Sequence, residues 1–349
     1  MNRNIKAFAT AIAMSLAAAS LAEAATVYIP EGSAGEVAIV DTTKDAIVGR
    51  ITDLPNVHGL GGSPAGRYLV AGSYEETPAG GETVPKPEGV TDDEHAAHHS
   101  PAARPAAGAV SILTIIDAAD GSAVRHLEVP GAVHHVAVSP DGRFAVATHP
   151  NADGISVIDL VELSVGELVR TGSMPNYATF SPDGTRLYVS NAGNGTVSEI
   201  DTERWFVTRN MLAGETPEHL VLSPDGRALF VANVEAGTVS ELDIEAGVIS
   251  RSFEIGGELH GLDIAEDAAT LFVSGKGEDK LVAIDLKSGA MRSAPLAPAP
   301  YHLAVVPGTG KLYVSSRDEP KVWVVDQKSL APQGTIALRG EGHQMVVLP

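Results

Sequence analysis

Histidine is the residue that this sequence places where chemistry could happen. Seven of its twelve histidines, His58, His134, His135, His219, His260, His302 and His343, stand at the start of short apolar runs, most of which end in Ser-Pro-Asp-Gly or a degraded copy of it. His149 closes another run, in Thr148-His149-Pro150, and His95, His98 and His99 lie in the acidic tract Asp92-Asp93-Glu94-His95-Ala-Ala-His98-His99. Imidazoles gathered at one place repel when protonated, with an ordinary pKa of about 6.5, and a metal ion bound to the neutral nitrogens removes that repulsion. Borderline cations such as zinc and copper suit these ligands. There is no cysteine, so a metal would have to be held by His, Asp, Glu or Met.

The spacing of the runs says what could gather them. Clean copies are His134-His135-Val-Ala-Val-Ser139-Pro-Asp-Gly142, Asn176-Tyr177-Ala-Thr-Phe-Ser181-Pro-Asp-Gly184 and Glu218-His219-Leu-Val-Leu-Ser223-Pro-Asp-Gly226. Anchors at Gly59, His135, Tyr177, His219, Gly261, His302 and His343 are separated by 76, 42, 42, 42, 41 and 41 residues. Each unit divides into four short runs rich in Val, Ile, Leu, Phe and Tyr, as in Val136 to Ser139, Phe144 to Thr148, Ile155 to Asp159 and Val165 to Arg170. Four strands in a period of 40 to 45 residues predict propeller blades. At the N-terminus, Val27 to Pro30, Glu36 to Asp41 and Ala46 to Ile51 match strands two to four of a blade that lacks its first, while the chain ends on a first strand, His343 to Leu348. The expectation is an all-β, seven-bladed β-propeller whose C-terminal strand completes the N-terminal blade.

Tyr188-Val-Ser-Asn191, Phe230-Val-Ala-Asn233 and Tyr313-Val-Ser-Ser316, each behind a Pro-Asp-Gly or Pro-Gly-Thr-Gly turn, resemble the YVTN repeat family of seven-bladed propellers. The resemblance covers nearly the whole chain after residue 24 and implies fold more than function, since such propellers serve as enzymes, carriers and surface proteins.

In a blade, the first strand lines the central channel and begins on the face that carries the loops between strands two and three. The seven histidines should therefore crowd one mouth of the channel, with His149 on the same side. They fall into two registers: His135, His219, His302 and His343 share one offset, and His58, His134 and His260 the other. Neighbouring residues on a regular strand face opposite ways, so one set should face the axis and the other lean away. The first set supplies the expected ligands. In the second of the three clean copies Asn176 and Tyr177 take the place of histidine. A histidine here can also simply hydrogen-bond loop carbonyls between blades.

Arg3 and Lys6, the apolar run Ala7 to Leu21 and Ala22-Glu23-Ala24 read as a secretory signal over residues 1–24, which points to the bacterial periplasm and a single domain over 25–349. The apolar run is too short to span a membrane. A net charge of −20 disfavours nucleic acid and anionic lipid and favours cations. The long first interval reflects an insert, residues 74–108, rich in Pro, Gly, Ala and Glu and too polar to build a core, so it reads as a mobile acidic loop over the mouth. Its His95, His98 and His99 would capture metal. His126, on an outer strand, is given no role.

Several functions remain open on these grounds. The first is a periplasmic zinc or copper carrier delivering to a solute-binding protein or other metal acceptor; the layout resembles the periplasmic zinc metallochaperones, propellers with a His-rich segment that serve importers. His134-His135-Val-Ala-Val-Ser139 also resembles the paired-histidine strand in the propeller domain of nitrous oxide reductase, which implies a copper or haem oxidoreductase-like alternative; the electron-entry copper domain of that enzyme has no counterpart in this cysteine-free sequence. Glu31, Glu235 and Arg317 are the loop groups a lactone hydrolase could use, and a non-catalytic interaction scaffold is the last alternative.

Overall fold

The computed structural model describes residues 25–78 and 108–349. The signal segment and His95, His98 and His99 lie outside them. The described residues form seven antiparallel sheets. Six have four strands in simple order, and the second, built on Val57–Gly62, Tyr68–Ser73, Ala109–Asp117 and Ala123–Pro130, carries the two-residue Thr77–Pro78 as a fifth member. Runs of alternating β-branched and aromatic residues between Asp-Gly and Asn-Gly turns produce these strands. Among the described residues, no helix is long and apolar enough to cross a membrane.

Each sheet buries both faces against its neighbours. The apolar side chains separate into seven clusters, one at each junction between blades. The closing junction is as well filled as the rest: Val27, Ile29, Ala38 and Val40 of the first blade pack on Val306, Tyr313, Val322 and Val324 of the seventh. The C-terminal strand pairs with the N-terminal one in the register Thr26↔Leu348, Val27↔Val347 and Tyr28↔Val346, which joins the two ends of the chain in one blade. It is shorter than expected, Val346–Leu348, because His343 and Gln344 leave the ladder for other partners. The His343 N–H donates to the Pro30 carbonyl (3.0 Å).

The Ser-Pro-Asp-Gly turns close the opposite face. In the third blade Ser139 Oγ donates to Asp141 Oδ1 (2.6 Å) and accepts the Phe144 N–H (2.9 Å), while the Gly142 N–H returns to the Ser139 carbonyl (2.8 Å). Gly142 sits at φ +72°, and a Cβ there would lie 2.4 Å from Gly66 Cα in the neighbouring turn, so glycine is required twice over. These serines are turn residues and not nucleophiles.

The residues 79–107 connect strands two and three of the second blade, as the sequence implies. The ends of that connection start at the histidine mouth, where Glu76 Oε1 accepts the Ala132 N–H (2.9 Å) and Asn151 Nδ2–H (3.0 Å).

Candidate metal centre

The inner strands do not run straight through the histidines. Ladder register shifts lie between Val57 and Gly59, Pro217 and Leu220, and Pro300 and Leu303. In the third and sixth blades regular pairing starts only at Val136 and Leu262, just after His134-His135 and His260. A hydroxyl from strand two satisfies the backbone thus released. Thr148 Oγ1 accepts the His135 N–H (3.0 Å) and donates to the Asn176 carbonyl of the next blade (2.8 Å); Ser274 Oγ accepts the Gly261 N–H (2.8 Å) and donates to the Tyr301 carbonyl (2.5 Å). Ser315 accepts the His302 N–H (3.2 Å). These pegs recur with the blade period, and they hold the ring-bearing segments while joining one blade to the next.

Because the ladders are broken here, strand alternation does not divide the histidines, and the expected split into an axial set and a turned-away set is corrected. Both sets enter one circle of rings. Centroids step from His134 to His58 (4.7 Å), His343 (4.2 Å), His302 (5.9 Å), His260 (4.6 Å), His219 (4.3 Å), Tyr177 (4.6 Å) and His135 (3.4 Å). All seven histidines are buried.

Within that circle the group that could hold a metal ion, among the described residues, is His219, His260 and His302, one from each of three successive blades. It mixes the registers, taking His219 and His302 from one set and His260 from the other. His260 Nε2 lies 3.1 Å from His219 Nε2 and 3.3 Å from His302 Nε2. A neutral imidazole nitrogen carries either a proton or a lone pair, so His260 Nε2 can make a linear hydrogen bond to only one of these neighbours. Burial is the first cause that holds the three pKa values below the ordinary histidine range, to about 3 for His219 and well below 6.5 for His260 and His302. Three neutral rings therefore converge in a buried site with lone pairs to offer. Tyr301 fixes their planes, stacking on His260 at 3.7 Å and 13° and meeting His302 edge-on at 4.5 Å.

The other candidates divide by what their nitrogens do. His58 Nδ1–H donates to the His134 carbonyl (2.8 Å) and His134 Nδ1–H to the Asn176 carbonyl (3.2 Å), the interblade role that histidines here can play. His343 lies against His58 and His302 on that side of the circle. His135 differs: its Nδ1 accepts the Ala178 N–H (3.2 Å), so the proton stands on Nε2 and this ring, as placed, offers a metal no lone pair. His149 uses both nitrogens, with Nδ1–H toward the Ala132 carbonyl (3.2 Å) and Nε2 accepting from Ser156 Oγ (2.7 Å). It occupies the place of Asn191 and Asn233, whose Nδ2 donates to Ser198 and Ser240. His149 thus pins the corner between strands two and three instead of joining the circle.

Glu31, offered above as a loop acid, is fully buried and committed to Arg50 (2.5 Å) and to the backbone N–H groups of Arg339 and Gly340. Two groups in the channel were not foreseen. Asp263, on the inner strand of the sixth blade, accepts the Val305 and Ile264 N–H groups (2.8 Å each), and burial lifts its carboxyl to about 6. Gln344, just before the C-terminal strand, donates to the Val136 carbonyl (3.0 Å) and accepts the Leu60 N–H (3.3 Å), tying the inner strands of the second and third blades. An acid inside an apolar inner-strand run was the signal available for Asp263; Gln344 gave none.

Residues 146–314 match the family model described as "Lactonase, 7-bladed beta-propeller". No curated protein matches the chain. Solved structures with the same fold include a putative 6-phosphogluconolactonase from Bacteroides uniformis, with 14% identity, TM-score 0.72 and coverage of 93% of this chain and 99% of that one. Hydrazine synthase of Kuenenia stuttgartiensis shares 16% identity at TM-score 0.68, covering 88% and 93%. The dihydro-heme d1 dehydrogenase NirN in complex with DHE shares 14% at TM-score 0.62, covering 92% and 74%. The chain is a seven-bladed propeller. At these identities the likeness is one of fold, and the function must be argued from the hub.

Proposed function

We propose that this propeller binds one transition-metal ion through His219, His260 and His302 and serves as a periplasmic zinc or copper carrier. One observation carries the reading. Two imidazole nitrogens on a tetrahedral zinc, each about 2.0–2.1 Å from the ion, stand about 3.3 Å apart, and the Nε2 separations at His260 are 3.1 and 3.3 Å. These two separations match that spacing, and an ion would accept all three lone pairs where a proton can serve only one pair of nitrogens. An all-imidazole set selects zinc or copper over magnesium or calcium, which prefer oxygen. Three protein ligands leave a fourth position open, as a site that must load and release requires. The charge of −20 favours cation encounter, and His95, His98 and His99 are proposed to capture the ion for delivery to a periplasmic solute-binding protein or other acceptor.

The test is elemental analysis of untagged protein recovered from the periplasm, for the wild type and for His219→Ala, His260→Ala and His302→Ala. One equivalent of zinc or copper, lost in each variant, is the expected result. Full occupancy in all three variants refutes the site. A coloured organic cofactor would support the haem alternative, to which the dihydro-heme d1 dehydrogenase likeness adds only its fold. Protein that takes up no metal after incubation with zinc and copper would leave the interaction scaffold.

A further inference from the structure

His135 is 3% exposed, and its orientation is fixed from two sides. Its ring lies on Tyr177 at a centroid distance of 3.4 Å, and its Nδ1 accepts the Ala178 N–H (3.2 Å). The proton is therefore on Nε2. That Nε2–H has no hydrogen-bond partner among the described residues. A buried donor without an acceptor is destabilising, and turning the ring over would forfeit the Ala178 bond. Tyr177 in turn rests on His219 (4.6 Å), a member of the imidazole triad.

The triad has a complementary deficit. Three neutral imidazoles bring no charge, so a divalent ion held by them would keep at least one positive charge even with the Asp263 carboxylate in the channel, which is costly in a low-dielectric interior. The fourth ligand of such an ion must be a Lewis base, and a monoanion both halves the charge and offers a lone pair to a neighbouring donor. We propose, on the reading that His219, His260 and His302 hold a metal, that His135 donates its Nε2–H to a monoanionic fourth ligand of that metal. The hub then takes up a metal–anion pair in preference to the bare ion. His135 acts on the anion and makes no bond to the metal, which explains why its lone pair is spent on the backbone.

The probe is azide. Full-length protein loaded with cobalt(II) is titrated with sodium azide at constant ionic strength and followed by the visible cobalt band as azide replaces water. His135→Phe keeps a flat ring on Tyr177 and removes the donor; His135→Gln restores a donor on a side chain of similar reach. Azide affinity should fall at least tenfold in the first variant and recover in part in the second. Equal affinity in wild type and His135→Phe overturns the inference while leaving the metal site standing, whereas absence of a cobalt band in the wild type sinks both. Should His135→Phe fail to fold, ¹⁵N-histidine NMR of the zinc-loaded wild type decides: azide must move the His135 Nε2–H resonance downfield, and an unmoved resonance overturns the inference.

Discussion

The assignment of His149 as a structural pin and not a ligand can be tested through its protonation. Burial lowers its pKa from 6.5 to about 4, because the ring is enclosed at the blade corner with both nitrogens engaged. On acidification the unfolded chain takes up the proton first, so this contribution to stability is complete above pH 6.5 and is lost as the pH falls toward 4. At 1.36 kcal/mol per pH unit the full loss is about 3 kcal/mol, and about 2 kcal/mol of it has gone by pH 5. His149→Asn installs the residue that the next two blades use. It should cost about 1 kcal/mol at pH 7.5, since the Ser156 contact survives and the Ala132 contact does not. Urea unfolding read by tryptophan fluorescence at pH 7.5, 6 and 5 should show the wild type losing about 2 kcal/mol more than the variant between the first and last pH. Parallel curves would refute the buried, neutral imidazole, and loss of bound metal in His149→Asn would return the residue to the ligand set.

Three further outcomes follow from the same contacts. Glu31→Gln removes one partner of a buried ion pair and weakens the acceptor for Arg339 and Gly340, so it should destabilise by about 3 kcal/mol, measured by urea unfolding at pH 7.5; a change near zero would contradict the commitment of Glu31 to structure. Removal of residues 343–349 takes Val346 and Leu348 from the first junction, frees the edge of the N-terminal strand and deletes the Gln344 bridge, and size-exclusion chromatography should show aggregates in place of a monodisperse species. Replacing residues 79–107 by a short Gly-Ser linker should change unfolding free energy by less than about 1 kcal/mol, because loop length enters only logarithmically, while slowing zinc uptake from a competing chelator. Unchanged uptake would argue against a capture role for His95, His98 and His99.

The architecture could be read from the sequence because every blade repeats the same local chemistry: apolar alternation, then Asp-Gly or Asn-Gly, at a period of 42. Closure was equally legible, since three strands at one end and one at the other make a whole blade. The ligand set was only partly so. His219 and His302 belong to the expected register and His260 does not, because alternation was applied where the ladder is interrupted and a Thr or Ser hydroxyl holds the backbone. The tautomer of His135 depends on the Ala178 N–H in the next blade, a contact that no local pattern encodes. His149 was different: aligned 42 and 84 residues ahead with Asn191 and Asn233, it could have been recognised as a turn pin before any coordinates.

The propeller brings rings from all seven blades to one circle about the axis, with two of them, His134 and His135, from the third blade. Departures from the repeat divide that circle. Tyr177 breaks the imidazole circle between His135 and His219, and Tyr301 stacks on His260 beside His302. The circle is thereby divided into a convergent triad on one side, a carbonyl-bonded pair, His58 and His134, on the other, with His343 between that pair and the triad on one flank and a lone donor, His135, on the other. If the rings served only to join blades, each would be expected to bond its neighbour's carbonyl as His58 and His134 do. Instead the Nε2 atoms of His219, His260 and His302 face one another at 3.1 and 3.3 Å. A proton can bridge only one of these two pairs by a linear hydrogen bond, and the proposed cation is argued from the lone pairs left over.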